Sequence, residues 1–220
     1  MGFDNATWRT LLKTSTVFVL AACGGGPLPE PTDWPVPAAE IGTTSYTLGD
    51  YAIIVDGVVF ELPKEEEGVH PFTGELFWLS SELAVLAYES DHVLALAGRI
   101  DGSTIAGISG TPNGIAVDSA SYETNYQIAK TNGTTVGSTL TLTIQFSDGS
   151  ISGANGTSFI VDGTLDGASI VGTVELGVIA DSVPSREVAE LQGGLYGADE
   201  VAAVFRGEYV AGVLFGTRNP

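Results

Sequence analysis

Eight dipeptides of one kind punctuate the chain: Asp-Gly at 56–57, 101–102, 148–149, 162–163 and 166–167, and Asn-Gly at 113–114, 132–133 and 155–156. Asp, Asn and Gly tolerate the positive φ that two-residue turns between right-twisted strands require, so these signals predict an antiparallel meander. The clearest strand is 138–146, STLTLTIQF. Leu140, Leu142, Ile144 and Phe146 fall on one face and Thr139, Thr141, Thr143 and Gln145 on the other. One apolar and one polar face is the pattern of a barrel or sandwich wall. Its hairpin partner is expected at 149–154, across Asp148-Gly149. Further strands are expected at 115–128, 157–165, 168–176, 188–197, 201–206 and 209–216, which makes eight between Gly114 and Arg218.

Upstream, 51–55 with 58–62 reads as a hairpin across Asp56-Gly57, and 83–89 with 92–100 as another across Ser90–Asp91. The stretch ELFWLSSELAVLAYES (75–90) also admits a helical turn at its start. Lys64-Glu65-Glu66-Glu67 reads as a solvated loop. The longest turn-rich connections are expected at 63–74 and 177–187.

The N-terminal stretch follows different rules. Arg9 and Lys13 precede an apolar run from Val17 to Ala22 that is too short to span a bilayer, which takes about 20 apolar residues. Residues 1–22 therefore read as an export signal. Its end, Leu20-Ala21-Ala22-Cys23, resembles the bacterial lipobox, whose cysteine is diacylated before cleavage. The resemblance implies lipid attachment at Cys23, the only cysteine. Gly24 after it implies, by the same resemblance, sorting to the outer membrane. Two or three acyl chains give stable anchoring without a membrane-spanning segment. Residues 23–42 follow as a tether. Pro27, Pro29, Pro31, Pro35 and Pro37 oppose helix and sheet and favour an extended spacer, on the order of 50 Å long at about 3.1 Å per residue.

Two stretches carry a further resemblance. GGLYGADEVAAVFRGEYVAGVLFGTR (193–218) resembles the closing motif of the β-barrel lobes of transferrin-binding protein B, matched at Gly193, Gly194, Tyr196, Gly197, Glu200, Phe205, Gly207, Gly212, Phe215 and Gly216. TLTLTIQFSDGSISG (139–153) with FIVDGTLDGASIVGTV (159–174) is similar to the paired hairpins of that barrel, and ASYETNYQ (120–127) to its opening strand. The resemblance implies an all-β protein: an eight-stranded antiparallel barrel over 111–220, corresponding to a single lobe, preceded by a smaller antiparallel sheet over 43–110. It also implies a surface lipoprotein whose relatives bind host proteins through loops and the accompanying sheet. No binding residue carries over from it.

Charge and motif content bound the function. Formal net charge is −19, becoming −20 once residues 1–22 are removed, with no basic stripe, so phosphate-neutralising nucleic-acid binding is not expected. Dispersed carboxylates keep an exported domain soluble and suit a basic partner. His70 and His92 lie outside any metal-ligand spacing, and no Gly-x-Ser-x-Gly, Walker or HExxH motif occurs. Asp162, Asp166 and Glu175 do not make a calcium loop, because the twelfth position from Asp162 is Thr173. Tyr122, Tyr126, Tyr196 and Tyr209 read as strand residues that cap the barrel. The many alternating Leu, Ile, Val and Phe positions predict a filled interior. The expectation is thus a monomeric, non-enzymatic lipoprotein without metal or cofactor. It would sit in the outer membrane through Cys23 and bind a host or environmental protein. Two alternatives are a structural envelope barrel and a small-ligand carrier, for example of haem.

Overall fold

The computed structural model describes residues 40–47, 50–55, 57–63, 67–70, 75–80, 82–114, 119–180 and 183–220, and all regular structure among them is strand. Three antiparallel assemblies follow one another along the chain. β1 (Thr43–Thr47), β2 (Asp50–Val55) and β3 (Val58–Glu61) form a three-stranded sheet. β4 (Glu67–His70), β5 (Glu75–Leu79), β6 (Leu83–Glu89), β7 (Val93–Ile100) and β8 (Ser103–Gly110) form a five-stranded meander. β9 (Ala120–Lys130), β10 (Thr135–Gln145), β11 (Ser150–Asn155), β12 (Phe159–Asp166), β13 (Ser169–Ala180), β14 (Val183–Tyr196), β15 (Glu200–Arg206) and β16 (Val210–Arg218) form a closed barrel. Each barrel strand pairs with its neighbours in sequence, and β16 returns to β9 with Val210 opposite Lys130 and Arg218 opposite Tyr122.

The all-β class, the eight-stranded barrel and the smaller sheet structure before it agree with the reading of the sequence. The region before the barrel holds two sheets rather than one. The 75–90 stretch forms β5 and β6 with no helical turn among its described residues. Two expected connections contain strand. Within 63–74, Glu67–His70 is β4, and within 177–187 the β13–β14 ladder runs out to Ala180 opposite Val183.

Six of the eight Asx-Gly dipeptides make turns with glycine at positive φ, among them Gly149 (φ 74°) and Gly156 (φ 61°). Asp162-Gly163 does not: it lies inside β12, where Gly163 opposes Gly172 of β13 and a Cβ would press on the Val171 carbonyl oxygen. Asn113-Gly114 lies in the connection between β8 and β9, hydrogen bonded to the Leu195 carbonyl.

Alternation sorts the barrel residues into two sets. Tyr126, Ile128, Leu140, Leu142, Ile144, Ile151, Phe159, Val161, Leu191 and Phe205 point inward into one buried cluster. On β10 to β14 the outward set is mainly polar and exposed: Thr139, Thr141, Gln145, Ser152, Asp162, Thr164, Thr173, Glu190 and Gln192. On β15 and β16, and at Ala129 of β9, it is apolar, with Ala129, Ala202, Val204, Ala211, Val213 and Phe215 packed against Ala84, Leu86, Ala95, Ala97 and Ala106 of the five-stranded sheet. That sheet's other face, with Trp78, Val85, Leu94, Leu96 and Ile105, packs on Tyr51, Ile53 and Val55 of the three-stranded sheet. β6 and β7 are thus covered on both faces, which is why LAVLA and VLALAG read as continuous apolar runs.

The outer edge strand β8 is capped by the chain that precedes β1. Gly42 bridges Gly107 in parallel, its N–H donating to Ala106 O at 3.0 Å while Ile108 N–H donates to Gly42 O at 3.1 Å. Ile41 joins the cluster between sheet and barrel. Residues 40–42, read from sequence as the end of the tether, are therefore docked on the fold. Cys23 and the rest of 1–39 lie outside the described residues.

Candidate functional site

The barrel interior is filled. Tyr126 and Phe159 stack with centroids 4.0 Å apart at 2°, and Phe205 meets Phe159 edge-on at 5.6 Å and 64°. Room for these rings comes from inward-facing glycines: a Cβ at Gly212 would overlap the Phe205 ring, and one at Gly153 would run into the Leu140 side chain. Polar groups inside are bonded locally. Thr124 Oγ1 donates to Leu140 O at 2.8 Å, and Asn155 Nδ2 donates to Tyr126 Oη at 3.2 Å.

At one end of the barrel Glu187 points inward, 7% exposed. Its Oε1 accepts the Tyr209 N–H at 2.9 Å, and it also takes the Glu208 N–H, so the β15–β16 turn hangs from this carboxylate. Its Oε2 is buried with no partner. Burial raises the carboxyl pKa above the usual glutamate range, the two N–H donors pull it back, and the neighbouring charge of Glu208 adds to the rise.

At the opposite end, where the start of β9 meets the end of β16 and the β14–β15 turn, lies a surface cleft of about 550 Å³ bounded by Ser119, Ala120, Ser121, Asp199, Arg218, Asn219 and Pro220. Three backbone and side-chain bonds fix the walls: Arg218 N–H to Asp199 O at 2.7 Å, Asn219 N–H to Ser121 O at 2.8 Å, and Asn219 Nδ2 to Ser121 Oγ at 3.0 Å. The β14–β15 turn that carries Asp199 turns through Gly197 (φ 57°), whose N–H donates to Asn113 Oδ1 at 2.8 Å. Tyr122, buried and in register with Arg218, lies on the inward face of β9. Burial raises its phenol pKa, with the Arg218 charge opposing and the Asp199 charge adding, so both charges reach its hydroxyl. Ser119, Ser121, Asp199, Arg218 and Asn219 thus border one cleft.

Beside this end runs the seam between barrel and sheet. Tyr88 stacks on Phe215 at 4.4 Å and 8° and hydrogen bonds Glu200, and its phenol pKa is raised by burial first and by Glu200 second. Tyr196, on the outward face of β14, is pushed up to about 12 by the same two causes.

The residues singled out from sequence scatter. Tyr122 and Tyr126 are interior, Tyr196 lies at the seam, and Tyr209 packs on the end of the barrel cluster by Glu187. Asp162 and Asp166 are exposed on β12, while Glu175 pairs with Arg186 on the outer wall, so the three are not gathered into a site. Among the described residues no group of three or more His, Cys, Asp or Glu has metal-binding geometry. His92 is exposed beside Gly197. Lys64, Glu65 and Glu66 lie outside the described residues, as do the side chains of Glu67 and His70. The cleft residues were not singled out, because only closure of β16 onto β9 brings Ser119–Ser121 to Arg218. Glu187 was within reach, since the inward parity of Ala189 and Leu191 extends to it. The chain matches no protein-family model, and no curated protein matches it.

Proposed function

We propose that the protein is a lipoprotein tethered through Cys23 to the outer membrane of a bacterium and exposed at its surface. Its role is non-enzymatic binding, in the manner of the transferrin-binding protein B family. The observation that carries this reading is the division of polarity in the barrel. A lipid-facing barrel shows an apolar outer band and a polar interior. Here Thr139, Thr141, Asp162, Thr173 and Glu190 face outward while the interior is packed with aromatic and aliphatic side chains. Such a barrel is built to stand in water, so it needs a separate anchor, and the lipobox supplies one. The filled interior also speaks against carriage of haem inside the barrel. Recognition then falls to turns, strand ends and the appended sheets, where side chains are free of packing duty.

The test has two parts. Metabolic labelling with a palmitate analogue should mark the parent protein and not Cys23→Ser, which should fractionate as a soluble, folded chain. Label retained on Cys23→Ser would refute the anchor. Pulldown with the Cys23→Ser protein from the native environment should enrich a partner stoichiometrically, and removing the turns beside the appended sheets should abolish the capture. Capture that survives those changes would refute the assignment of recognition to these turns.

A further inference from the structure

Three Asn-Gly dipeptides lie among the described residues, at 113–114, 132–133 and 155–156. Each sets a side-chain amide beside a glycine nitrogen, the least hindered nucleophile the main chain offers. The fold treats the three unequally. At the end of β11, Asn155 Nδ2 donates to Tyr126 Oη at 3.2 Å, Ser138 Oγ at 2.9 Å and Thr139 O at 3.1 Å, so its amide is fixed on β9 and β10. Asn113 Oδ1 accepts the Gly197 N–H, while the N–H groups of Asn113 and Gly114 both donate to Leu195 O at 3.0 Å. A Cβ at Gly114 would stand 2.5 Å from Leu195 Cβ, so that glycine is pressed against β14.

Asn132, Gly133 and Thr134 are all exposed in the β9–β10 turn, where Gly133 has a φ of 88°. Asn132 Oδ1 accepts two hydrogen bonds, from the Thr134 N–H at 3.1 Å and from the Thr134 hydroxyl at 2.7 Å. Both donors stand where negative charge gathers when Cγ is attacked. The Gly133 N–H donates to Lys130 O at 3.0 Å, a bond in an exposed turn that opens locally at little cost.

We propose that Asn132 is a site of spontaneous modification, assisted by the Thr134 hydroxyl, that loses its amide as ammonia and becomes aspartate or isoaspartate, while the fold protects Asn113 and Asn155. The Gly133 nitrogen gives its proton to hydroxide and bonds to Asn132 Cγ, and the C=O electron pair moves onto Oδ1. Return of that pair breaks the bond from Cγ to Nδ2, which takes a proton from water and leaves as ammonia. Water then opens the succinimide. Cleavage between Cγ and the Gly133 nitrogen gives aspartate, and cleavage between the Asn132 main-chain carbonyl carbon and that nitrogen gives isoaspartate. The sum exchanges NH2 for OH and needs no enzyme. At neutral pH the product carries one more negative charge. It arises in a turn that lies against Arg99, whose Nη2 is 3.9 Å from where a Gly133 Cβ would stand. Isoaspartate also adds a carbon to the main chain inside a turn closed by the Lys130 N–H on Thr134 O at 2.9 Å, which loosens the start of β10.

The test ages the full chain in warm, mildly alkaline buffer and follows each asparagine by peptide mass mapping, with an isoaspartyl methyltransferase reporting the isoaspartate formed. A gain of one mass unit should appear at Asn132 at least about tenfold faster than at Asn113 or Asn155, the factor that one hydrogen bond makes to a rate. A sample unfolded in guanidinium should lose that ranking, since glycine follows all three. Thr134→Val should slow Asn132 about tenfold and Thr134→Ser should restore it. The parent time course carries the ranking whether or not the variants fold. Asn113 or Asn155 converting as fast as Asn132 in the folded chain would overturn the proposal. So would an Asn132 that stays intact while the unfolded sample converts, or a folded Thr134→Val protein that keeps the parent rate.

Discussion

Adding a single methyl group at Gly212 should destabilise the fold out of proportion to its size. A Cβ at this position would overlap the Gln127 carbonyl oxygen of β9 and Cζ of Phe205, and would stand 2.8 Å from Phe205 Cε1. Neither neighbour can give way. The Gln127 residue belongs to the β9–β16 ladder, opposite Val213, and its carbonyl cannot retreat without parting the strands that close the barrel. The Phe205 ring is fully buried and held edge-on by Phe159, which is itself stacked on Tyr126. Overpacking costs about 1–3 kcal/mol, and with two rigid neighbours the upper value applies. At about 2–4 °C per kcal/mol for a chain of this size, Gly212→Ala should melt about 6–12 °C below the parent. Gly177→Ala is the control: a Cβ there meets nothing within 4 Å, so the change should be neutral or stabilising by up to about 1 kcal/mol. Thermal and urea melts followed by circular dichroism provide the comparison, with Phe205→Leu added to relieve the ring overlap and recover part of the loss. Gly212→Ala melting within about 1 °C of the parent, or Gly177→Ala costing as much, would refute the claim that the interior is packed to its limit.

Two further outcomes concern protonation. The Glu187 carboxyl titrates above its ordinary range in the fold, chiefly through burial, so the native state holds a proton that the unfolded chain has released. The stability this contributes is complete below the unfolded value near about 4.3 and is lost as pH rises through the raised native value. Glu187→Gln should flatten the dependence of melting temperature on pH in that window, and parallel curves for parent and variant would rule the linkage out. The phenols of Tyr88, Tyr122 and Tyr196 are all raised, Tyr196 to about 12, so alkaline spectrophotometric titration should show a late-ionising class that Tyr196→Phe reduces by one. The stability linked to Tyr196 should fall away between about pH 10, the ordinary tyrosine value, and about 12, and tyrosines that all ionise together would contradict the seam described here.

The barrel was legible because its free walls keep a clean period of two. STLTLTIQF states both faces of β10, and the dipeptides at 148–149, 155–156 and 166–167 state where three of the turns fall. Legibility failed wherever a strand is covered on both sides. EVAAVFR and VAGVLFG carry inward Val201, Ala203 and Phe205 beside outward Ala202 and Val204, and nothing in an unbroken apolar run says which set meets a second sheet. The same holds for β6 and β7, whose neighbours on either face come from segments distant in the chain. The Asp162-Gly163 dipeptide, counted among the turn signals yet inside the expected strand 157–165, lies in the strand: a strand interior also uses glycine where another backbone comes close, and there Gly163 faces Gly172. The cleft residues were illegible in principle, since Asp199, Arg218 and Ser121 come together only after register is set.

Closure of the barrel has a kinetic side. β9 and β16 meet across residues about 80 apart at Lys130 and Val210, and by the (3/2)RT ln n rule joining them costs about 4 kcal/mol in chain entropy, against about 1 kcal/mol for a two- to four-residue hairpin. Every other barrel pairing can form as its hairpin is made, whereas this one waits for β16. The five-stranded sheet lies over that late seam, its Ala84, Ala95 and Ala97 against Ala129 on one side and Ala211 and Val213 on the other. It acts as a splint across the slowest join in the molecule. A barrel that cannot close until β16 arrives stays open until then, and becomes hard to reopen once the splint is seated.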